Sequence, residues 1–314
     1  MTRLVSKVLL LFSLQLVCYA QMSYSNSGSA TGYSIVNNVP NCGADSCWHS
    51  PPQQTNYAFF AVSVGEDGYA CGITSARAIM CHTEYPGNAW SSPPAQLSGV
   101  YGIAVGDQSD IWALSGSCPN GYLTWQLSGS SWIQRGGCGT AISVDEADGL
   151  VYVINSQNNA YVSSNSGASW TQLPSSGTQI ASAPGLSALV GTDGNVYVST
   201  ASASTGWAAA SCGSTGPGGV LFTSVAIDQQ GTLYSVGEDA NVYYCGQSWS
   251  TSTWNMLELP VPGKSEAVAA LSVSTVGPMT TWAVINTYKS GAVNVPQHRT
   301  CIACLNMACG TAQP

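Results

Sequence analysis

The sequence predicts an all-β protein: a six-bladed β-propeller of four-stranded antiparallel blades, with the ring closed by an N-terminal strand that joins the C-terminal blade. Three observations support this prediction. A unit of four short strands recurs along the chain, tryptophans recur at intervals near 40 residues, and the composition is poor in charge. Only 7% of the residues are charged, whereas 34 residues are glycine. Small polar and turn-forming residues suit tightly packed, turn-rich sheets.

The chain begins with features of a secretory signal peptide. Arg3 and Lys7 form a basic start, Val8–Val17 is an apolar core, and Cys18-Tyr19-Ala20 is a small-x-small cleavage site. A membrane anchor is disfavoured because the apolar run is too short to span a bilayer. The protein is therefore predicted to be secreted and extracellular, with a signal peptide over 1–20, a flexible lead-in over 21–32 and a single propeller domain over 33–314.

The clearest repeat unit covers residues 141–174. Apolar residues alternate with small polar ones in four runs, which predicts strands rather than helices. Gly, Asn and Asp pairs separate the runs and predict tight turns. The predicted strands of this unit are Ala141–Val144, Leu150–Ile154, Ala160–Ser163 and Ser169–Leu173.

Tryptophan marks the period of the repeat. Six tryptophans lie 42, 42, 38, 37 and 47 residues apart, and each is predicted to open a fourth strand and to wedge neighbouring blades together. The first has no strands before it, while three C-terminal strand segments have no tryptophan after them. The N-terminal strand is therefore predicted to complete the last blade. These structural tryptophans are Trp48, Trp90, Trp132, Trp170, Trp207 and Trp254.

Cysteine usage indicates an oxidising compartment. The chain has 12 cysteines, one of them in the predicted signal peptide, so about five disulfides and one unpaired thiol are expected. A metal or redox role for the Cys301-x-x-Cys304 motif is disfavoured, because no second such motif exists. Three pairs are predicted on one face of the ring: Cys71 with Cys81, Cys118 with Cys138, and Cys212 with Cys245. Two bridges across the termini, with one cysteine left over, are predicted among Cys42, Cys47, Cys301, Cys304 and Cys309.

The net negative charge of the chain disfavours nucleic acid and anionic membranes as partners. Without Arg3 and Lys7 the chain keeps five basic and fifteen acidic residues, a net charge of −10. Nucleic acid and anionic membranes are therefore poor partners, and no membrane insertion is expected. No cofactor or metal site is predicted, because the carboxylates fall at turns without a dense calcium-binding pattern. These turn residues are Asp67, Asp107, Asp148, Asp193 and Asp239.

No catalytic arrangement is evident, so the protein is predicted not to be an enzyme. Residues Ser163–Trp170 resemble the Asp-box of sialidase-like propellers, with Asn165 in place of the aspartate. In those families the motif staples a hairpin far from the active site. A sialidase-like site would also need an arginine cluster, whereas Arg77, Arg135 and Arg299 lie on separate predicted blades. A degenerate glycoside hydrolase is therefore the least favoured hypothesis.

Aromatic residues are the remaining candidates for ligand binding. Trp125 and Trp249 lie outside the repeat positions, which favours exposure, although each could instead cover a blade edge. Aromatics also recur in the predicted second strands, where the alternative role is packing between blades. The candidate ligand-binding residues are Trp125, Trp249, Trp112, Tyr152 and Tyr234.

The pattern Gly99–Gly106, followed by Ile111–Leu114 and by Trp170–Pro174, resembles the tectonin repeat. That family includes six-bladed propeller lectins that bind glycans on microbial or cell surfaces. The resemblance implies a secreted, non-catalytic lectin with glycans as its partners. The alternative is a propeller that binds a cell-surface or extracellular protein.

Overall fold

A computed structural model of the chain describes residues 48–49, 59–82, 90–145, 147–199, 206–239, 241–246, 253–257, 266–274, 280–287 and 295–300. The described chain is almost entirely β-structure, with one short 3₁₀ turn at Pro217–Gly219. Within these ranges no helix has the length and apolar character needed to cross a membrane. The predicted signal peptide, the lead-in and the cysteines of both termini lie outside the described residues.

The described residues form six antiparallel sheets. The three-stranded sheet is β2 (Phe59–Val64), β3 (Ala70–Thr74) and β4 (Ile79–His82). The first blade is β5 (Val100–Val105), β6 (Ile111–Cys118), β7 (Gly121–Ser128) and β8 (Ser131–Gly139). The second blade is β9 (Ala141–Asp145), β10 (Leu150–Ile154), β11 (Asn159–Ser163) and β12 (Thr171–Ser176).

The remaining sheets follow the same plan. The third blade is β13 (Gln179–Ala183), β14 (Leu186–Val190), β15 (Val196–Ser199) and β16 (Ala208–Ala209). The fourth blade is β17 (Phe222–Ile227), β18 (Leu233–Gly237), β19 (Val242–Cys245) and β20 (Asn255–Leu257). The fifth blade joins β1 (Trp48–His49) to β21 (Glu266–Ser274), β22 (Thr280–Thr287) and β23 (Val295–Thr300), with Trp48 opposite Arg299.

The all-β propeller class is confirmed, but the prediction of six four-stranded blades is wrong. Five sheets have four strands, and the sheet of β2–β4 has three. Where a fourth strand was expected after Trp90, the chain makes only one isolated bridge, between Cys81 and Ser91. Pro93 and Pro94 follow directly, and proline has no backbone N–H to extend the pairing.

The first strands of the sheets form the inner wall of a ring. They contact one another in the cyclic order β2, β5, β9, β13, β17, β21 and back to β2. Packing is close at the end of these strands, where a Cβ on Gly65 would lie 2.5 Å from the carbonyl oxygen of Gly106. Small residues are therefore required where the first strands converge.

The second blade matches the repeat predicted from residues 141–174 to within a few residues at each strand end. The main difference is β12, which continues past Pro174 to Ser176. A register shift in the β11–β12 pairing absorbs the proline, and β12 is the edge strand of its sheet. Proline is tolerated there because an edge strand can leave one N–H position unpaired.

The Asp-box-like segment staples the hairpin between β11 and β12. Asn165 Oδ1 accepts hydrogen bonds from the Ser169 backbone N–H at 2.9 Å and from Ser163 Oγ at 2.9 Å. Ser163 Oγ in turn accepts the Gly167 N–H at 2.9 Å. An asparagine oxygen thus does the work expected of the aspartate.

Two of the repeated tryptophans hydrogen-bond to the connection that leads into their own blade. Trp254 is 3% exposed, and its Nε1–H donates to the Gly213 carbonyl at 2.7 Å. Trp132 makes the equivalent bond to the Ala95 carbonyl at 3.0 Å. In both cases the acceptor lies in the connection that leads into the same blade. The ring nitrogens of Trp170 and Trp207 are buried without a hydrogen-bond partner.

Three disulfides join the pairs predicted from the cysteine positions: Cys71–Cys81, Cys118–Cys138 and Cys212–Cys245. The prediction that all three lie on one face is wrong. Cys71 is the second residue of β3 and pairs with Cys81 near the β2–β3 turn. Cys118 lies at the β6–β7 turn, at the opposite end of the strands. The bridge from Cys71 to Cys81 is cross-strand because these residues face each other in neighbouring strands.

Replacing Trp254 with phenylalanine should lower the free energy of unfolding by about 1–2 kcal/mol, because it leaves the Gly213 carbonyl without its buried donor. Urea unfolding of the variant measures the loss. Trp207→Phe is the matched control, since its Nε1–H has no partner to lose and the change should cost less. Equal losses in the two variants would show that the indole hydrogen bond does not tether the connection.

Candidate functional site

Three of the predicted ligand-binding aromatics are buried between sheets. Trp112 and Tyr152 are each 1% exposed, and Tyr234 is 4% exposed. Trp112 packs against Val144 and Val151 of the second blade, and its Nε1–H donates to Asp110 Oδ1 at 2.8 Å. The ring faces of these three residues are used for packing, so they do not form a surface platform.

The two aromatics expected to be exposed have different outcomes. Trp125 lies on the third strand of the first blade, as predicted, and is half-buried. Its Nε1–H donates to the Ser115 carbonyl at 3.0 Å, which fixes the ring against the neighbouring strand. Trp249 lies outside the described residues.

An exposed aromatic surface forms instead at the start of the first blade. We call it the tyrosine stack: Arg77, Tyr101 and Tyr122. The rings of Tyr101 and Tyr122 stack with centroids 3.8 Å apart and planes 9° apart. The Arg77 guanidinium lies 4.3 Å from the Tyr101 ring centroid. Tyr101 is 41% exposed, so a partner can reach this aromatic and cationic surface.

Local structure explains why Tyr122 is held firmly. It follows Gly121, where a Cβ would lie 2.6 Å from the Gly139 carbonyl oxygen, so only glycine allows β7 to begin there. The Cys118–Cys138 disulfide ties the same turn to the end of β8. The turn is further held by the Ser156 N–H, which donates to the Asn120 carbonyl at 2.9 Å.

Tyr101 and Arg77 are placed by neighbouring elements. Tyr101 lies at a register shift in the β5–β6 pairing, between Val100 and Gly102. Arg77 adopts a positive φ of 61° in the β3–β4 turn, and its carbonyl accepts the Val100 N–H at 3.0 Å. This backbone bond connects the two sheets directly beside the stack.

The opposite face of the ring carries acidic residues, which we call the acidic face: Glu66, Asp107, Asp145 and Asp148. Each lies where the first strand of a sheet turns into the second strand. Because the first strands line the ring, these turns are brought together although they are far apart in sequence.

Glu66 connects three turns across this face. Its carbonyl oxygen accepts a hydrogen bond from Gln229 Nε2 at 3.1 Å, although the two residues are 163 positions apart. The Ala147 N–H donates to the Glu66 carboxylate, which lowers its pKa and shows that the side chain reaches the β9–β10 turn. Glu66 therefore ties the turns of β2, β9 and β17, which are not neighbours around the ring.

Other carboxylates staple adjacent turns. Asp67 Oδ2 accepts the Gln108 N–H at 3.0 Å, and Asp148 Oδ2 accepts the Gly185 N–H at 3.1 Å. Asp67 also caps its own turn through the Tyr69 N–H at 2.9 Å, as its position predicts. The acidic face is thus held in place by hydrogen bonds within and between sheets.

Burial and mutual repulsion perturb the acids of this face. Burial first, then the charges of Asp145, Asp107 and Asp148, raises the pKa of Glu66. Burial also raises the pKa of Asp145, which is 1% exposed. Asp145 Oδ1 accepts the Asp148 N–H at 3.2 Å, whereas Asp145 Oδ2 is buried without any hydrogen-bond partner. Asp228 is likewise 1% exposed with Oδ2 unpartnered.

The acids of the second-to-third-strand turns behave in the opposite way. The hydroxyl of Tyr197 donates to Asp193 Oδ2 at 2.7 Å and lowers the pKa of that carboxyl. The hydroxyl of Tyr243 likewise donates to Asp239 Oδ2 at 2.6 Å. Burial and the Asp239 carboxylate raise the pKa of Tyr243 to about 12. These two acids are turn residues, as predicted.

Within the described part of the chain, no group of three or more His, Cys, Asp or Glu side chains is arranged to hold a metal ion. The acidic face is therefore a set of separated carboxylates rather than a chelating site.

Two groups of candidate site residues, in the tyrosine stack and on the acidic face, were not identified from the sequence. Tyr101 stands among the small residues of an inner strand, and this departure was the signal that could have identified it. Glu66 and Asp107 each lie two residues beyond a first strand, and Asp145 ends one, so the recurrence of acids near the ends of first strands was a further signal. Each acid alone is indistinguishable from an ordinary turn residue.

Solved structures are similar to this chain in fold. The RRP9 WD40 repeats match at 12% identity over 82% of this chain and 98% of theirs, with a TM-score of 0.52. A structural genomics protein of unknown function from Bacteroides thetaiotaomicron matches at 11% identity over 82% of this chain and 72% of that chain, with a TM-score of 0.52. YCF48 bound to D1 peptide matches at 13% identity over 81% and 84%, with a TM-score of 0.47.

The two matches with a TM-score of 0.52 support the fold alone, because their identities are low. No protein-family model matches the chain, and no curated protein matches it by sequence. The likeness to the tectonin repeat therefore stays a resemblance of sequence pattern.

The raised pKa of Glu66 predicts a pH-dependent contribution to stability. A folded-state pKa above the ordinary value of 4.5 gives stability that is present below that value and is lost as the pH rises through the folded-state pKa. Glu66→Gln keeps an oxygen for the Ala147 N–H but removes the charge. Its free energy of unfolding relative to the wild type should therefore increase from about pH 4 to about pH 7.

Urea unfolding at a series of pH values measures this difference. Glu238→Gln removes one charge from an exposed acid of the β18–β19 turn and serves as the control for the loss of a surface charge. A Glu66→Gln effect that is constant with pH would show that the carboxylate is not destabilised by burial and neighbouring charge.

Proposed function

We propose that this protein is a secreted, non-catalytic propeller that binds another protein through the tyrosine stack. The observation that carries the proposal is the exposed stack of Tyr101 on Tyr122, with the Arg77 guanidinium over Tyr101. Tyrosine and arginine are enriched in binding hot spots because they combine a large apolar surface with hydrogen-bonding groups.

The rigidity of the stack supports the same function. The Cys118–Cys138 disulfide and the Arg77–Val100 backbone bond hold its elements before any partner arrives. Pre-organised side chains lose little conformational entropy on binding, so more of the contact energy appears as affinity.

Secretion is supported by two features. Three disulfides are typical of proteins in oxidising compartments. The N-terminal sequence has the basic start, apolar core and small-residue site of a signal peptide. An extracellular or cell-surface protein is therefore the partner class that fits best.

Glycan binding is the second candidate, because the tyrosine hydroxyls and the Arg77 guanidinium could also hydrogen-bond the hydroxyl groups of a sugar. The same surface would carry both functions, so the probes must distinguish them.

Peptides selected from a random display library on the wild-type protein should lose affinity about tenfold or more in Tyr101→Ala and in Tyr122→Ala. Affinity is measured by titration of each selected peptide. Ile133→Ala and Met256→Ala are matched controls, since these residues are 40% and 54% exposed and lie outside the stack. Their affinities should match the wild type.

A glycan array with the same proteins separates the two candidates. Glycan binding that disappears in Tyr101→Ala, without any selected peptide, would favour a lectin. Peptides that bind Tyr101→Ala and Tyr122→Ala as tightly as the wild type would overturn the stack as the binding surface. Thermal unfolding of every variant confirms that each is folded.

A further inference from the structure

The acidic face contains a buried negative charge that the turn itself does not require. Asp145 uses Oδ1 to accept the Asp148 N–H, and Oδ2 is buried without a partner. Asn155 performs turn capping with an amide: its Oδ1 accepts the N–H groups of Gln157 at 3.0 Å and Asn159 at 2.9 Å. An uncharged asparagine is therefore sufficient for capping in this fold, and the carboxylate of Asp145 needs another explanation.

The charge of Asp145 is also costly where it lies. Burial removes water from a carboxylate oxygen, and without a hydrogen bond in the protein nothing offsets that loss of free energy. The charge of Asp148 acts on Asp145, and the charges of Asp145, Asp107 and Asp148 act on Glu66. A cation placed among these groups would offset both burial and repulsion.

The described part of the chain does not provide that cation. Only two arginine or lysine side chains are described, Arg77 and Arg135. Arg77 lies over Tyr101 on the opposite face, and Arg135 donates to Gln126 Oε1 at 2.7 Å in the outer part of the first blade. Neither side chain lies on the acidic face, so a cation that compensates the Asp145 charge would come from outside this set of residues.

The spacing of the acids favours an organic cation over a metal ion. A divalent metal needs several oxygen ligands within about 2.0–2.6 Å, and the described carboxylates are not grouped in that way. A guanidinium or ammonium group offers several N–H donors that can reach separate carboxylates. The fixed turns, stapled by Asp67 and Asp148, would keep those acceptors in place.

We propose that the acidic face binds an organic cation, the guanidinium or ammonium group of a basic ligand, with Asp145 and Glu66 as its anionic contacts. The Glu66 side chain crosses from the β2–β3 turn to the Ala147 N–H, beside the turn that carries Asp145. Binding requires the side chains around Asp145 to move, because Asp145 is 1% exposed. This site lies on the face opposite the tyrosine stack and does not depend on the function proposed for that stack.

The probe is a pentapeptide with one central arginine flanked by glycine and serine, compared with the same peptide carrying neutral citrulline. Titration at low ionic strength, where charge interactions are least screened, should give saturable binding of the arginine peptide and at least tenfold weaker binding of the citrulline peptide. Asp145→Asn should weaken arginine-peptide binding about tenfold. Glu66→Gln is the second variant, and it keeps the test open if Asp145→Asn does not fold.

Asp193→Asn is the control, because Asp193 is an exposed acid on the opposite face and is paired with Tyr197. It should bind the arginine peptide as the wild type does. Spermidine distinguishes the source of the cation: binding of spermidine without the arginine peptide would support the site and assign it to a free polyamine.

Equal binding of the arginine and citrulline peptides would overturn the proposal. Unchanged binding in both Asp145→Asn and Glu66→Gln would overturn it as well. Calcium binding that Asp145→Asn abolishes, with no peptide binding, would replace the proposal with a metal site. The peptides selected for the tyrosine stack are tested with different variants. A negative result for one proposed site therefore does not contradict the other.

Discussion

The close packing of the first strands around the ring is the constraint on which the rest of the structure depends. Gly65 and Gly106 meet so closely that a single Cβ would collide with the neighbouring carbonyl. The largest buried side chains, such as Trp112 and Tyr152, therefore lie farther out, on the second strands. Trp112 and Tyr152 fill the space between neighbouring sheets there, and the outer tryptophans fasten each blade to its incoming connection. The same convergence brings together turns that are separated by more than a hundred residues.

This constraint explains which parts of the fold the sequence could predict. The strands of residues 141–174 follow from alternation and turn residues, which are local properties. The missing fourth strand after β4 depends on Pro93 and Pro94, and the repeat pattern around Trp90 hides their effect. Periodic aromatics such as Trp112 and Tyr234 were ambiguous, because the repeat position that could serve a ligand is also the position that packs between sheets.

The candidate sites were harder to predict than the fold, for the same physical reason. Tyr101 is exposed because of a register shift in β5, which no local pattern reveals. Glu66 and Gln229 meet only when the ring closes, since 163 residues separate them. Their meeting is a consequence of tertiary structure, so a single sequence gives the residue types but not their convergence.

Asp228, in the β17–β18 turn, shows that an acid can occupy a capping position where an amide would make the same hydrogen bonds. Asp228 accepts the N–H groups of Gln230 and Thr232 at 2.9 and 2.8 Å, in the same pattern that Asn155 uses with the residues two and four positions ahead. Both side chains are buried, and one cap is a carboxylate while the other is an amide. Burial raises the pKa of Asp228, which means that the negative form is disfavoured where it stands. Because an amide oxygen could accept the same two N–H groups without that penalty, capping of this turn does not explain the charge of Asp228.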